Sequence, residues 1–140
     1  MLYLANDHAG FKFKQKVIKI LQKKGIEFED LGAFSTERVD YPKFGKLLAQ
    51  KVSENDSNRG ILICGSGIGM SIVANRNPKI RAGLCKNSKI TKLARQHNNI
   101  NVLVLAGRDS KPLCVRKMIE IFLNTPFLGG KYADRLNQID

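Results

Sequence analysis

The sequence lacks several features that would direct it to a membrane or an oxidising compartment. No apolar run approaches the roughly 20 residues needed to span a bilayer. The first residues, MLYLANDHAG, contain neither a basic segment nor an extended apolar stretch of the kind that opens a signal peptide. Only three cysteines occur, an odd number without the spacing of metal ligands: Cys64, Cys85 and Cys114. We therefore expect a cytoplasmic protein with free thiols, no membrane association and no bound metal.

Acidic residues are also scarce. The chain has 12 Asp and Glu against 24 Lys and Arg, which gives a formal net charge of +12. Nucleic-acid-binding proteins often have such a balance, but they usually concentrate the basic residues on one element. Here the basic residues are scattered over every predicted helix, which favours a generally solvated surface. We expect no nucleic-acid partner, and the positive field would attract an anionic small-molecule substrate.

The sequence does contain a regular alternation of short apolar runs and segments of helical period. With 140 residues, 43% hydrophobic and 26% charged, the chain is predicted to form one globular domain, residues 1–140. The alternation indicates an α/β fold, a three-layer Rossmann-like sandwich with a five-stranded parallel sheet, whose strand order stays open. Strands are predicted over residues 2–5, 26–31, 61–63, 80–85 and 102–106. Helices are predicted over 13–25, 42–52, 70–74, 88–97 and 112–123, with a loop over 32–41 and a short polar segment over 131–139.

The stretch RGILICGSGIGMSIVAN, residues 59–75, reads as a buried strand, a glycine loop and the beginning of a helix. Glycines allow a ligand to approach the backbone, and the first N–H groups of a helix favour negative charge. The pattern is neither G-x-G-x-x-G nor a nucleotide phosphate loop. It predicts an anion site, for a phosphate or a developing oxyanion, beside the Cys64 thiol. The alternative is a tight turn in which Cys64 is a small buried hydrophobe.

Polar side chains follow three of the predicted strands. Asp7 and His8 follow the first strand, Cys64 and its glycines the third, and Arg108 the fifth. Ligands of parallel sheets bind at the carboxyl ends of the strands, so these residues are candidates for one site. Two alternatives remain open: Asp7 and His8 can cap the next helix, and Cys64 can pair with His97 in a thiol hydrolase.

Five segments that follow in the same order over nearly the whole chain resemble the type B ribose-5-phosphate isomerase family. They are NDHAGF, ERVDYP, CGSGIGMSIVAN, IRAGLC and ARQHNNINVLVLAGR. The family also includes galactose-6-phosphate and allose-6-phosphate isomerases. The resemblance implies interconversion of ribose 5-phosphate and ribulose 5-phosphate through an enediolate, in the non-oxidative pentose phosphate pathway, without metal or organic cofactor.

The resemblance also implies residue roles. By this resemblance, Cys64 corresponds to the base that moves a proton between C1 and C2. His97, assisted by Asp7, corresponds to the group that opens the furanose ring. Ser66 and the amides of the loop would hold the enediolate oxygens, and four residues would hold the phosphate. The implied loop amides are those of Gly65, Gly67, Ile68 and Gly69. The implied phosphate ligands are His8, Arg108, Lys131 and Arg135, and the implied sugar contacts are Asn98 and Tyr41.

Two positions depart from the family pattern. Ser66 stands where many relatives have Thr, which keeps the hydroxyl group. Lys131 stands where GGRxxxR would have Arg, which replaces a bidentate phosphate ligand by a point charge. The departure at Lys131 would weaken phosphate binding or indicate a different sugar phosphate. Within the same family, galactose or allose 6-phosphate is the alternative substrate. From a different class, a basic nucleic-acid-binding module is the alternative.

The direction of the parallel strands predicts whether one chain or two chains contribute residues to an active site. Asp7, His8 and Cys64 follow strands, whereas His97 and Asn98 precede the fifth strand and so lie at the opposite edge of a parallel sheet. A strand of about five residues spans roughly 17 Å, too far for proton transfer. We therefore expect a homodimer with shared active sites, in agreement with the family resemblance, and a tetramer is the larger alternative.

Overall fold

A five-stranded parallel sheet forms the centre of the molecule. The computed structural model describes residues 1–139. The strands are β1 (Leu2–Asn6), β2 (Phe28–Asp30), β3 (Arg59–Cys64), β4 (Ala82–Leu84) and β5 (Val102–Ala106). Their order across the sheet is β2-β1-β3-β5-β4, and all four pairings are parallel. The three central strands are almost entirely buried because helices cover both faces.

Six α-helices surround the sheet. They are α1 (Phe11–Lys23), α2 (Tyr41–Ser53), α3 (Ile68–Asn75), α4 (Ser88–Asn98), α5 (Pro112–Asn124) and α6 (Lys131–Leu136). One core cluster joins α1 and α5 to one face of the sheet, for example through Val17, Ile63 and Phe122. A second cluster joins α2 and α3 to the other face, where Leu48 and Met70 pack beside Cys64. The predicted three-layer α/β sandwich is therefore confirmed.

Several predicted boundaries differ from the structure. β2 and β4 are shorter than predicted, because each is an edge strand whose three residues pair with a single neighbour. The predicted polar segment 131–139 instead begins with α6, and the chain between β1 and α1 forms a 3-10 turn, His8–Gly10. Across residues 1–139, no helix is long and apolar enough to cross a membrane. Over the same range, no cluster of three His, Cys, Asp or Glu side chains could hold a metal ion.

Candidate active site

The chain turns that follow β1, β3 and β5 lie side by side at the carboxyl edge of the sheet. The three strands are neighbours, and Cys64, the last residue of β3, pairs in register with Ala106, the last residue of β5. The Asp7 N–H donates to the carbonyl oxygen of Ile63 at 3.3 Å, and the Gly107 N–H donates to that of Cys64 at 2.7 Å. Backbone hydrogen bonds thus hold the three turns together around Cys64.

The Cys64 thiol faces the beginning of α3. Its side chain is buried, and the Gly67 N–H lies 3.1 Å from the sulfur. Gly67 has φ +81°, and a Cβ there would lie 2.5 Å from Leu84 Cδ1, so only glycine fits this turn. The N–H of Ile68 donates to the exposed Ser66 hydroxyl at 3.2 Å. A sulfur, a hydroxyl and the first N–H groups of a helix therefore meet in one loop, where they can stabilise negative charge.

The glycines of this loop also let two larger side chains approach it. A Cβ on Gly65 would lie 3.4 Å from the Arg108 guanidinium, and a Cβ on Gly69 would lie 2.6 Å from the Tyr41 ring. The backbone N–H of Arg108 further donates to the Gly65 carbonyl at 3.2 Å. The loop is therefore bordered by a cation on one side and a phenol on the other.

Asp7 and His8 complete the carboxyl edge. The buried Asp7 carboxylate accepts the Gly10 N–H at 3.0 Å and so caps the 3-10 turn, which realises the capping alternative for this residue. His8 Nδ1 lies 3.2 Å from both the amide nitrogen and the carbonyl oxygen of Val39. Nδ1 can donate to the Val39 carbonyl oxygen in one tautomer, or accept the Val39 N–H in the other, in which Nε2 carries the proton. In that second tautomer, His8 presents an N–H donor, which suits a phosphate oxygen.

A second group of predicted site residues lies at the other edge. α4 returns towards the amino ends of the strands, and His97 and Asn98 are its last two residues, ahead of β5. β5 has five residues, so roughly 17 Å of strand lies between this edge and Ala106 beside Cys64. Lys131 and Arg135 join His97 through Tyr132, whose ring stacks on the imidazole with centroids 4.2 Å apart. One chain thus separates the predicted residues into two groups.

Sequence reasoning missed two residues of this second group. Tyr132 lies in the segment that was predicted only as short and polar. The sequence KYADR nevertheless contains an aromatic residue between Lys131 and Arg135. Arg95 lies in α4 and looked like one more solvated base, but only 5% of it is exposed. Its guanidinium donates to the carbonyl oxygens of Ile100 and Thr125. Burial, together with the charges of Arg59 and Arg81, lowers the pKa of Arg95 to about 10. Arg95 therefore anchors the end of α4, and with it His97, to the rest of the molecule.

Beside His97 and Asn98 the amino edge opens into a groove of about 950 Å³. Basic and amide side chains line one part of it, among them Arg59, Arg81 and Asn101, and apolar residues such as Phe127 and Leu136 line another. On α3, directly after the Cys64 loop, Ile68 and Ile72 are 56% and 55% exposed. An exposed apolar helix face and an open groove are both typical of surfaces that a protein partner covers.

Comparison with known proteins places this geometry among sugar-phosphate isomerases. The profile described as "Ribose/Galactose Isomerase" matches residues 2–139. The crystal structure of a ribose 5-phosphate isomerase from Thermotoga maritima is 47% identical, with a TM-score of 0.96, over 99% of this chain and 96% of that one. Ribose-5-phosphate isomerase B of Escherichia coli is 36% identical over 133 residues, 95% of this chain and 89% of that protein.

One similar structure contains a sugar phosphate. It is the ribose-5-phosphate isomerase B of Mycoplasma genitalium with bound ribulose 5-phosphate. It is 36% identical, with a TM-score of 0.92, and the match covers 99% of this chain and 92% of that one. The likeness extends over the whole chain, so both edges of the sheet belong to it.

Proposed function

The chain belongs to the ribose/galactose isomerase family, and on that basis we propose that it interconverts ribose 5-phosphate and ribulose 5-phosphate. Family membership decides for an isomerase over the alternatives of a nucleic-acid-binding module and a thiol hydrolase. The single observation that carries the choice of substrate is the similarity to the isomerase from Mycoplasma genitalium, which holds ribulose 5-phosphate. Phosphorylated sugars and free thiols both suit the cytoplasm, which is the proposed location.

The carboxyl edge supplies the base and the oxyanion donors. In the open-chain aldose, the Cys64 thiolate removes the proton from C2, and the C1 carbonyl oxygen gains negative charge as the enediolate forms. Return of the proton to C1, with transfer of the O2 proton to O1, gives the ketose, so the reaction is balanced without any added reductant. The buried sulfur faces the Gly67 N–H, and the Ser66 hydroxyl and first amides of α3 lie beside it. This arrangement supports a role for these donors in stabilising the charge that develops on the enediolate oxygens.

The phosphate is assigned to basic side chains from both edges. His8 and Arg108 lie at the carboxyl edge, and Lys131 and Arg135 lie beside Tyr132 at the amino edge. Neither pair alone offers the four donors that the family resemblance implies. Asn98, next to His97, and Tyr41, beside Gly69, are assigned to the sugar. These roles are consistent only if one site draws on both edges.

A two-fold homodimer brings the two edges together. In such a dimer the Cys64 loop of one protomer faces the His97 edge of its partner, and the same contact recurs in the second site. The exposed Ile68 and Ile72 directly follow the loop, and the groove lies beside His97, so both surfaces are where a partner would pack. Opening of the furanose ring by His97 would then act on the sugar that the other protomer's Cys64 deprotonates. A tetramer would repeat this dimer.

Substrate turnover tests the proposal. The protein is incubated with ribose 5-phosphate in the presence of a chelator, and formation of the ketose is followed. Galactose 6-phosphate and allose 6-phosphate are assayed in parallel, since the family includes hexose phosphate isomerases. We expect the pentose phosphate to be converted with the higher kcat/KM. Turnover of a hexose phosphate alone would reassign the substrate, and no turnover of any of the three would reject the activity.

A further inference from the structure

Tyr132 stands out among the residues at the amino edge because it contacts His97 face to face. It is half-buried in the first turn of α6. Its ring and the imidazole lie 4.2 Å apart between centroids, with an interplanar angle of 8°. The two rings are thus almost parallel and in direct contact, which restricts rotation of the imidazole about its bond to Cβ.

The stack is the contact that fixes the plane of the His97 ring. In the part of the chain that the structure describes, residues 1–139, neither ring nitrogen of His97 has a hydrogen-bond partner. Catalytic histidines usually owe their orientation to a carboxylate or carbonyl bonded to one ring nitrogen. Here an aromatic face takes that place, and both nitrogens remain available to a substrate.

The chain before α6 is built to bring Tyr132 to this position. Gly129 and Gly130 have φ of +68° and +55°, a conformation that favours glycine, and they turn the chain sharply into α6. Just before them, the Leu128 N–H donates to the carbonyl oxygen of Gln96 at 3.1 Å, next to His97. The turn and this hydrogen bond hold α6 against the end of α4.

Tyr132 also lies between His97 and two cations. Lys131 Nζ is 5.3 Å and Arg135 Cζ is 5.9 Å from the centroid of its ring, within the range of a cation–π contact. In ribose 5-phosphate the ring oxygen and the phosphorus are separated only by two carbons and the ester oxygen. Tyr132 therefore contacts both the group proposed to act on the furanose ring and the groups proposed to bind the phosphate.

We propose that Tyr132 is a positioning residue for furanose-ring opening: its ring holds the His97 imidazole in the orientation that this step needs. The inference rests on the proposed function. In ring opening the anomeric hydroxyl loses its proton, the bond between C1 and the ring oxygen breaks, and its electron pair goes to that oxygen. The oxygen then takes up a proton, so the step is a rearrangement with no net gain or loss of protons or electrons.

Ribulose 5-phosphate separates ring opening from enolisation. Its carbonyl is at C2 and the oxygen on C5 carries the phosphate, so it cannot close a furanose ring and stays open. Exchange of its C1 protons with solvent requires Cys64 but no ring opening. A defect in the His97 orientation should therefore slow conversion of the aldose and spare this exchange.

The test compares Tyr132→Leu, which fills the space without an aromatic face, with Tyr132→Phe, which keeps the face and lacks only the hydroxyl. For each, kcat on saturating ribose 5-phosphate is measured together with the exchange of C1 protons of ribulose 5-phosphate in D2O by NMR. We expect Tyr132→Leu to lower kcat at least about tenfold and to leave exchange within about twofold of the wild type. Tyr132→Phe should retain both rates.

The exchange rate also reports whether the variant is folded and assembled, because Cys64 works only in a formed site. Equal loss of both rates in Tyr132→Leu would overturn the inference, since Tyr132 would then serve the fold or substrate binding alone. Unchanged rates would overturn it as well. If the wild type neither converted ribose 5-phosphate nor exchanged these protons, the proposed function would fail, and that result is distinct from either outcome in the variant.

Discussion

Cys64, Cys85 and Cys114 are all free thiols, but their surroundings differ sharply. Cys64 and Cys85 are buried, and Cys114 is exposed on α5. Of the three, only Cys64 has a backbone N–H directed at its sulfur, and it also faces the beginning of α3, whereas Cys114 lies in the first turn of α5. Both features fit the role of base that is proposed for Cys64.

The first prediction concerns the role of Cys64. The variant Cys64→Ala should lose exchange of the C1 protons of ribulose 5-phosphate by at least about a hundredfold, because it removes the proposed base. Binding of the sugar phosphate, measured by calorimetry, should remain within about threefold, since the phosphate ligands are untouched. Cys114→Ser serves as the control and should have wild-type exchange. Exchange in Cys64→Ala at the wild-type rate would reject the assignment.

The second prediction concerns pH and Cys85. Burial raises the pKa of the Cys85 thiol, an effect opposed in part by its hydrogen bond with Thr91. Above the ordinary pKa of 9.0 the unfolded chain therefore loses the thiol proton while the folded chain keeps it. The contribution to stability is complete below that pH and is lost as the pH rises through the raised value, at up to about 1.4 kcal/mol per pH unit.

Urea denaturation at pH 8 and pH 10 measures this effect. The wild type should lose more stability between the two pH values than Cys85→Ala, in which the titrating group is gone. Cys85→Ala should be less stable at pH 8 because it leaves a cavity, so the comparison uses the change with pH rather than the absolute free energy. Identical changes in both proteins would show that Cys85 does not titrate in this way.

At the scale of single elements, the loop over residues 31–40 depends on one lysine from α1. Lys14 is fully buried, and its Nζ lies 2.8 Å from Asp30 Oδ1 and 2.6 Å from the Ala33 carbonyl oxygen. The same loop carries Val39, whose amide contacts His8 Nδ1. Lys14 therefore holds in place the segment that orients a proposed phosphate ligand.

The third prediction follows from this contact. Lys14→Met should destabilise the fold by about 3 kcal/mol, because it leaves Asp30 and a backbone carbonyl without their partner. It should also raise KM for ribose 5-phosphate more than it lowers kcat, through the loss of order around His8. Denaturation and steady-state kinetics measure the two effects. The matched control is Lys12→Met, an exposed position on the same helix, which should change stability by less than about 0.5 kcal/mol.

The fourth prediction concerns α6 and the phosphate. Arg135→Ala should raise KM for ribose 5-phosphate about tenfold with little change in kcat, since a phosphate contact is similar in the ground and transition states. Competitive inhibition by inorganic phosphate should weaken in parallel. Lys131→Arg should tighten phosphate binding if Lys131 is a weakened form of a bidentate ligand. Unchanged phosphate inhibition in Arg135→Ala would place this residue outside the site.

Most elements could be predicted from the sequence because apolar side chains recur at a clear helical or strand spacing wherever an element packs on the core. The three central strands and five of the helices were predicted within a few residues. The shortened β2 and β4 were not, because an apolar run does not reveal how many of its residues find a pairing partner. α6 has no apolar period at all, and its position depends on contacts with α4 that are distant in sequence.

The same distinction holds for the site. Residues at the carboxyl edge could be grouped from sequence because they follow directly on strands, and the structure brings Asp7, His8, Cys64 and Arg108 to one edge. The contact of Tyr132 with His97 could not be predicted, since no local sequence pattern indicates which two rings will be in contact. The burial of Arg95 could not be predicted for the same reason, because it depends on a contact with Thr125, which is distant in sequence.

At the scale of the whole molecule, the separation of Cys64 from His97 is the feature with the sharpest test. The fifth prediction is that Cys64→Ala and His97→Ala, each inactive on ribose 5-phosphate, regain activity when they are unfolded and refolded together. A mixed dimer has one site with both lesions and one with neither, so about a quarter of the wild-type activity should return. If mixed dimers form and remain inactive, the site lies within one chain.

In the homodimer proposed above, the sheet that keeps the two edges apart also has a consequence for inheritance. Consider a cell that makes equal amounts of the normal chain and of a chain carrying both lesions, Cys64→Ala and His97→Ala. In every mixed dimer, one site lacks Cys64 and the other lacks His97. Both sites are therefore inactive, although one of the two chains is normal. About half of the normal chains would be lost in this way, although their own sequence is intact. With the proposed dimer, two alleles whose lesions lie on separate chains restore activity together, whereas an allele with both lesions on one chain is dominant negative.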